Sequence, residues 1–242
     1  MSLGTLYGIG IGPGDPELIT LKGARLLQAC RHVFVPKARR AADSVAMTIA
    51  RPCLRGDALI QELVFPMTAD RQKLAASWEE SARQVVAVLE RGEDACFLTL
   101  GDPLLYSTYI YLLRALRKLL PDVQAVTVPG VTAFSAAASL TEFPLGEAKE
   151  PVTIVPTADD LEAVRRALAG GGTVVIMKIG KRLPEVVNLL GEAKLLKESV
   201  FISRVGLAGQ RIEWDLGRLP AEGPETGYLS IILVHAGRTR NP

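Results

Sequence analysis

The sequence predicts an α/β protein of two domains, a parallel-sheet domain followed by a mixed-sheet domain. Two observations carry the prediction. Through residue 119, short apolar runs alternate with segments of helical periodicity, the pattern of a parallel sheet whose faces are covered by helices. Towards the other end, apolar runs at 199–205, 211–216 and 227–234 follow one another with no long helix between them, which calls for a mixed or largely antiparallel sheet. The 242 residues are long for one domain and comfortable for two, and Pro121, in the stretch 118–122, places the link; the domains expected are 1–119 and 120–242.

The first strand opens the stretch TLYGIGIGPGDPELIT, residues 5–20, where Gly8, Gly10, Gly12 and Gly14 alternate with Pro13 and Asp15 nearby. Glycine at this density after a strand marks backbone that must take unusual angles or lie close to a ligand. Open α/β sheets bind ligands at this position, beyond the carboxyl end of a strand. A dinucleotide GxGxxG does not fit, since counting from Gly8 reaches Pro13 and counting from Gly10 reaches Asp15; nor does a Gly-Lys-Ser/Thr phosphate loop follow.

Leu18, Leu21, Ala24 and Leu27 then fall near helical spacing, with Asp15 and Glu17 suited to a helix start. HVFVP, residues 32–36, reads as a second strand, 43–51 as a helix and 58–65 as a third strand. Residues 70–91 form a long amphipathic pattern in which Trp78 is a core candidate, and 94–99 is a buried strand ending in a second loop, LGDPLLYST, before a helix over 107–119. A strand at 123–128, the first expected in the second domain, ends in PGVTAFSAAASL, where Thr132 is placed to cap a helix of small residues. Strands at 152–155 and 173–179 and helices at 159–168 and 183–190 complete the pattern.

Composition narrows the function classes. Hydrophobic residues make up 48% and charged residues 22%, as in a well-buried core, and 28 Lys+Arg against 26 Asp+Glu leave +2, too little to argue for nucleic acid. Cys30, Cys53 and Cys96 are odd in number and lack CxxC spacing, so neither a disulfide framework nor a zinc site is suggested; Cys30 and Cys96 read as small core hydrophobes. No apolar run reaches transmembrane length, and the expected compartment is the cytoplasm.

Three loops share a position directly after a strand: GPGDP at 12–16, GDP at 101–103 and PGVTA at 129–133. Together with Met177 and Lys178, this ordered set resembles the motifs of the tetrapyrrole (corrin/porphyrin) methyltransferases, the class III fold of S-adenosylmethionine-dependent enzymes, over nearly the whole chain. TLGDPLLYSTYIYL, VPGVTAFSAAAS, IMKIGK and SRVGLAGQ are similar within that family to the C-20 methyltransferases of cobalamin synthesis, which act on precorrin-2 or cobalt-factor II. Uroporphyrinogen-III methyltransferases resemble it less, since they carry Gly-Gly-Asp-Pro where this chain has Leu100-Gly101-Asp102-Pro103.

The resemblance implies S-adenosylmethionine in a cleft between the domains, leaving as S-adenosylhomocysteine. Pro13 would line one side, Leu100, Gly101 and Asp102 the centre with Leu105 nearby, Thr132 and Ala133 the facing wall, and Met177 with Gly206 and Ala208 the adenine end. The sulfonium is already a strong methyl donor, so the protein need mainly orient it and remove a proton; orientation alone supplies roughly 7–11 kcal/mol in favourable cases. Asp102 and Tyr106 are the catalytic candidates, with Asp15 or water as other bases, and no metal ligand is implied. Asp15, Lys37, Tyr106 and Lys178 are candidate contacts to a small-molecule tetrapyrrole, with Arg39, Lys181, Arg182 and Arg204 as further cations for its carboxylates. His32 and His235, in or beside apolar strands, read as structural. A homodimer and no nucleic-acid or membrane partner are expected; another ring position, ribosomal RNA, or tetrapyrrole carriage without catalysis stay open as alternatives.

Overall fold

The computed structural model describes residues 2–37, 44–66, 68, 70–157, 161–221 and 224–237. Arg39, one of the candidate cations, lies outside them. The chain divides into two units, Met1–Thr132 and Ala133–Pro242.

In the first unit β1 (Thr5–Gly10), α1 (Leu21–Ala29), β2 (His32–Lys37), α2 (Val45–Ala50), β3 (Leu59–Val64), α3 (Arg71–Leu89), β4 (Ala95–Thr99), α4 (Tyr109–Leu119) and β5 (Gln124–Val128) follow in order. The five strands form one sheet in the order β3-β2-β4-β1-β5, and every pair is parallel. The sequence assigns the last of these strands to the second domain; instead it hydrogen-bonds along β1 from Thr5↔Gln124 to Ile9↔Val128. The unit therefore ends at Thr132 rather than at 119. Parallel partners are never chain neighbours, so this pairing leaves no local mark in the sequence.

Strand β4 is buried at all five positions, as a central parallel strand covered on both faces must be. Leu6, Phe34, Leu63 and Phe97 pack against Val85 and Leu89 of α3 and Tyr109 and Leu112 of α4. Each such side chain contributes about 1.5–3 kcal/mol by leaving water. Asp70 starts α3 by accepting the amides of Gln72 and Lys73, and Thr20 starts α1 by accepting that of Gly23. Of the residues at helical spacing, Leu27 is buried in α1 together with Gly23, while Leu21, the first residue of the helix, is 92% exposed. Trp78 is half-buried and stacks on Tyr111 at 4.5 Å and 7°. Cys30 and Cys96 are buried free thiols.

The second unit holds α5 (Ala133–Thr141), β6 (Val152–Pro156), α6 (Leu161–Ala169), β7 (Thr173–Met177), α7 (Leu183–Glu192), β8 (Ser199–Ser203), β9 (Arg211–Glu213) and β10 (Ser230–His235). Its sheet order is β6-β7-β10-β8-β9, with β6 and β7 parallel and the other pairs antiparallel, so it is mixed as the strand spacing predicts. Val174, Ile176, Phe201 and Ile232 pack with Val186, Val187 and Leu190 of α7. His235 stacks on Phe143 at 3.9 Å and meets the Thr173 hydroxyl at 3.2 Å, a structural setting. No described helix is long and apolar enough to cross a membrane.

Candidate active site

Strands β4, β1 and β5 are neighbours running the same way, so the loops that follow them emerge side by side. These are the three motif loops, and they meet backbone to backbone. The Ile11 amide donates to the Thr99 carbonyl at 3.0 Å, and the Gly101 amide to the Gly12 carbonyl at 2.8 Å. A Cβ on Gly130 would lie 2.2 Å from the Gly101 carbonyl oxygen, and one on Gly10 would lie 2.5 Å from the Gly130 nitrogen. Gly10 and Gly130 are thus glycine because no side chain fits between the loops. Gly101 takes φ +71°, and the direction its Cβ would occupy is open, with the Val131 carbonyl 4.0 Å away as the nearest atom.

Asp102 ties the second loop to the third. Its Oδ1 accepts the Leu104 amide at 2.8 Å and its Oδ2 the Gly130 amide at 3.1 Å. Both carboxylate oxygens therefore hold backbone in place, a use the sequence did not disclose because Gly130 is 28 positions away. Asp15 accepts the Glu17 amide at 2.9 Å and caps the short 3₁₀ turn Pro16–Leu18, in keeping with its place at a helix start. Pro13 is buried beside these loops in sequence; Leu100, Leu105 and Thr132 are partly buried. Tyr106 has φ +51° and is 42% exposed, a strained position for a residue with a side chain.

Lys37 stands apart from this cluster in its bonding. It ends β2, and its ammonium lies 2.7 Å from the Glu62 carboxylate on β3. Tyr109, the first residue of α4, is fully buried; its hydroxyl meets Thr127 Oγ1 on β5 at 3.1 Å, and its ring occupies the space a Cβ on Gly8 would need, 2.2 Å from Cζ. Burial raises the pKa of this phenol, an effect the Thr127 hydrogen bond opposes. Tyr109 thus braces β1 and β5 just before their loops. Helical spacing places a tyrosine here, but only the fold says which of the three turns inward.

In the second unit, Met177 ends β7, and its carbonyl accepts both the amide and the hydroxyl of buried Thr157, at 2.9 and 3.0 Å. Thr157 thus fixes the end of β7, a contact the motifs did not indicate. Lys178 follows with φ +56°; desolvation lowers the pKa of its ammonium although the residue keeps exposed surface. Gly206, with φ +71°, donates its amide to Gln210 Oε1 at 2.7 Å, so the loop carrying Gly206 and Ala208 is braced within itself. Ala133 opens α5.

What these loops offer a ligand is backbone amide and carbonyl groups at strand ends with apolar flanks, not an array of charged side chains. The open direction above Gly101 admits a ligand against bare backbone, and the Thr99 hydroxyl, buried and without a described partner, adds a polar group at the strand end. Among the described residues no group of His, Cys, Asp and Glu is arranged to hold a metal ion.

Residues 5–220 match the family model of the Tetrapyrrole (Corrin/Porphyrin) Methylases. The chain belongs to that family. Among family relatives, the cobalt-precorrin-2 C(20)-methyltransferase of Salmonella typhimurium is 33% identical over 232 residues, 96% of each chain. The precorrin-2 C(20)-methyltransferase of a Sinorhizobium species is 29% identical over 99% of this chain and 98% of its own. A structure of cobalt precorrin-4 methyltransferase has the same fold, with TM-score 0.74 and 22% identity over 95% of this chain and 94% of that one. So does the Thermus thermophilus uroporphyrin-III C-methyltransferase complexed with S-adenyl homocysteine, with TM-score 0.66 and 21% identity over 96% and 97%.

Proposed function

We propose that this methylase transfers the methyl group of S-adenosylmethionine to C-20 of precorrin-2 or its cobalt-bearing counterpart, a step of cobalamin biosynthesis. The observation that carries the reading is the full-length similarity to C(20)-methyltransferases, 33% over 96% of both chains in the first case.

S-adenosylmethionine supplies an activated methyl group. The chain's own residues bind, orient and keep water away. Backbone at Leu100 and Gly101 takes the open space beside Val131, Asp102 fixes that backbone against Gly130, and Pro13, Leu105 and Thr132 flank it. Met177, Ala133, Gly206 and Ala208 supply the remaining cofactor contacts. Holding the methyl carbon in line with an electron-rich ring carbon is where the rate gain arises. In this reading Asp102 is a positioning residue, its oxygens being engaged by amides, and exposed Tyr106 at the loop end is the side chain presented to the ring, with Asp15 of the first motif loop as a further contact. The reading carries with it a cytoplasmic homodimer, to be checked by light scattering for twice the 26.0 kDa chain mass.

The test is transfer of labelled methyl from S-adenosylmethionine to enzymatically prepared precorrin-2 and, in parallel, to its cobalt complex. Transfer to either supports the reading, and the ratio of the two values of kcat/KM identifies the natural substrate. Binding of S-adenosylhomocysteine with transfer to neither contradicts it.

A further inference from the structure

Of the sequence's candidate cations, the structure neutralises some and leaves others. Lys37 is paired with Glu62, and Arg182 reaches both oxygens of Glu185, at 2.8 and 3.2 Å. Near the candidate loops, Arg211 is paired with Glu213 and Arg218 with Asp215. Lys178, Lys181 and Arg204 are different: all three are exposed and none is in an ion pair among the described residues, and of these Lys178 and Arg204 stand directly at strand ends.

Their placement is also shared. Strands β7 and β8 are both antiparallel to β10, which lies between them, so their carboxyl ends emerge at the same edge of the sheet. Lys178 is the first residue after β7 and Arg204 the first after β8. Two strand spacings separate them, about 10 Å. Both have left-handed backbone, φ +56° and +52°, which residues with side chains adopt at a cost and which clusters at functional positions. Arg204 is further fixed: its amide donates to the Leu229 carbonyl at 2.9 Å, its carbonyl accepts the Leu207 amide at 2.9 Å, and its Cδ lies 3.7 Å from where a Cβ on Gly209 would be.

Two exposed cations, each on strained backbone at one sheet edge and each left without a protein anion, form a receptor for two anions on one ligand. Resting on the proposed function, we infer that Lys178 and Arg204 are a carboxylate-binding pair that takes two peripheral carboxylates of the tetrapyrrole and so fixes how the ring is turned. The guanidinium supplies paired donors to one carboxylate and the ammonium a point charge to another. Ring rotation decides which carbon meets the methyl group, so the pair is a determinant of position as well as of affinity.

The experiment uses the full chain and uroporphyrin III, a stable octacarboxylate, with binding read by fluorescence and S-adenosylhomocysteine affinity read in parallel by calorimetry. Lys178→Met and Arg204→Met should each weaken uroporphyrin binding about tenfold and the double variant about a hundredfold, each loss corresponding to one charged contact. Cofactor affinity should stay within about twofold, and Lys197→Met, an exposed cation just before β8 and so at the opposite edge of the sheet, should change little. Full uroporphyrin binding by the double variant, with normal cofactor affinity, overturns the pair and leaves the proposed function standing. An equal loss in Lys197→Met overturns it too, by showing a response to net charge alone. A wild-type chain that binds neither ligand contradicts the proposed function itself, and the pair with it.

Discussion

The Asp102 carboxylate accepts the Gly130 amide at 3.1 Å, joining the loop after β4 to the loop after β5 across the end of the strand that lies between them. With its other oxygen on the Leu104 amide, this side chain sets the spacing of two of the three motif loops. An aspartate in a GDP triplet at a strand end invites the role of a base; its bonding gives it the role of a strut.

Asp102→Ala removes two bonds to a charged acceptor, and a loss of about 2–4 kcal/mol in folding stability is expected, the lower end because the side chain is only partly buried. Cofactor affinity should fall by about tenfold or more, since the loops lose their register. Asp102→Asn, which keeps one acceptor oxygen, should lie between. Denaturant melts and calorimetry measure both. The pH profile of kcat separates strut from base: a strut leaves its acid limb where it was in Asp102→Asn, whereas removal of a base abolishes that limb.

The glycines at the loop junction should tolerate nothing larger. In Gly130→Ala the added carbon would sit 2.2 Å from a backbone oxygen, so main chain must move and cofactor binding should be lost. In Gly8→Ala the clash is with the Tyr109 ring, a side chain that can be trimmed. Gly8→Ala alone should cost about 1–3 kcal/mol by overpacking. Added to Tyr109→Ala it should cost much less, and a thermodynamic cycle of melts measures the coupling. Gly101→Val should abolish cofactor binding, because a β-branched side chain is disfavoured at φ +71° and would enter the open space beside Val131.

The three loops were legible because glycine and proline at strand ends declare backbone close to something. Their mutual contacts were not: Gly10, Gly101 and Gly130 touch across more than a hundred residues of chain, and parallel pairing of β5 with β1 carries no adjacent signal. The strand at 124–128 reads correctly as a strand yet was placed in the wrong sheet for this reason. Lys37 looked like a free cation because Glu62 is 25 positions away. Tyr106 and Tyr109 differ by less than one helical turn, and which is buried depends on the helix beginning at Tyr109 rather than at 107. Alternation of helix and strand, by contrast, is local, and the element order followed from it.

Buried Tyr109 gives a pH dependence with a definite sign. Its phenol pKa is raised in the folded state, so the native chain holds its proton after the unfolded chain has released it. Stability should therefore fall as the pH rises above about 10, the ordinary value, until the folded pKa is passed. Tyr109→Phe should lower stability at neutral pH by losing the Thr127 bond but flatten that alkaline decline. Urea melts at stepped pH give the slopes.

Trp78 and Tyr111 stack 4.5 Å apart, joining α3 to α4. The pair should be worth about 0.5–1.5 kcal/mol in a double-mutant cycle. Trp78→Ala should lower the melting temperature while leaving kcat/KM within about twofold, in contrast to Asp102→Ala.

The position of the transferred methyl tests the C-20 assignment itself. Precorrin-2 or its cobalt complex, incubated with the chain and carbon-13 methyl-labelled S-adenosylmethionine, should give a product whose carbon NMR spectrum carries the label at C-20. A labelled methyl at any other ring carbon would contradict that assignment, while retaining the fold and the family.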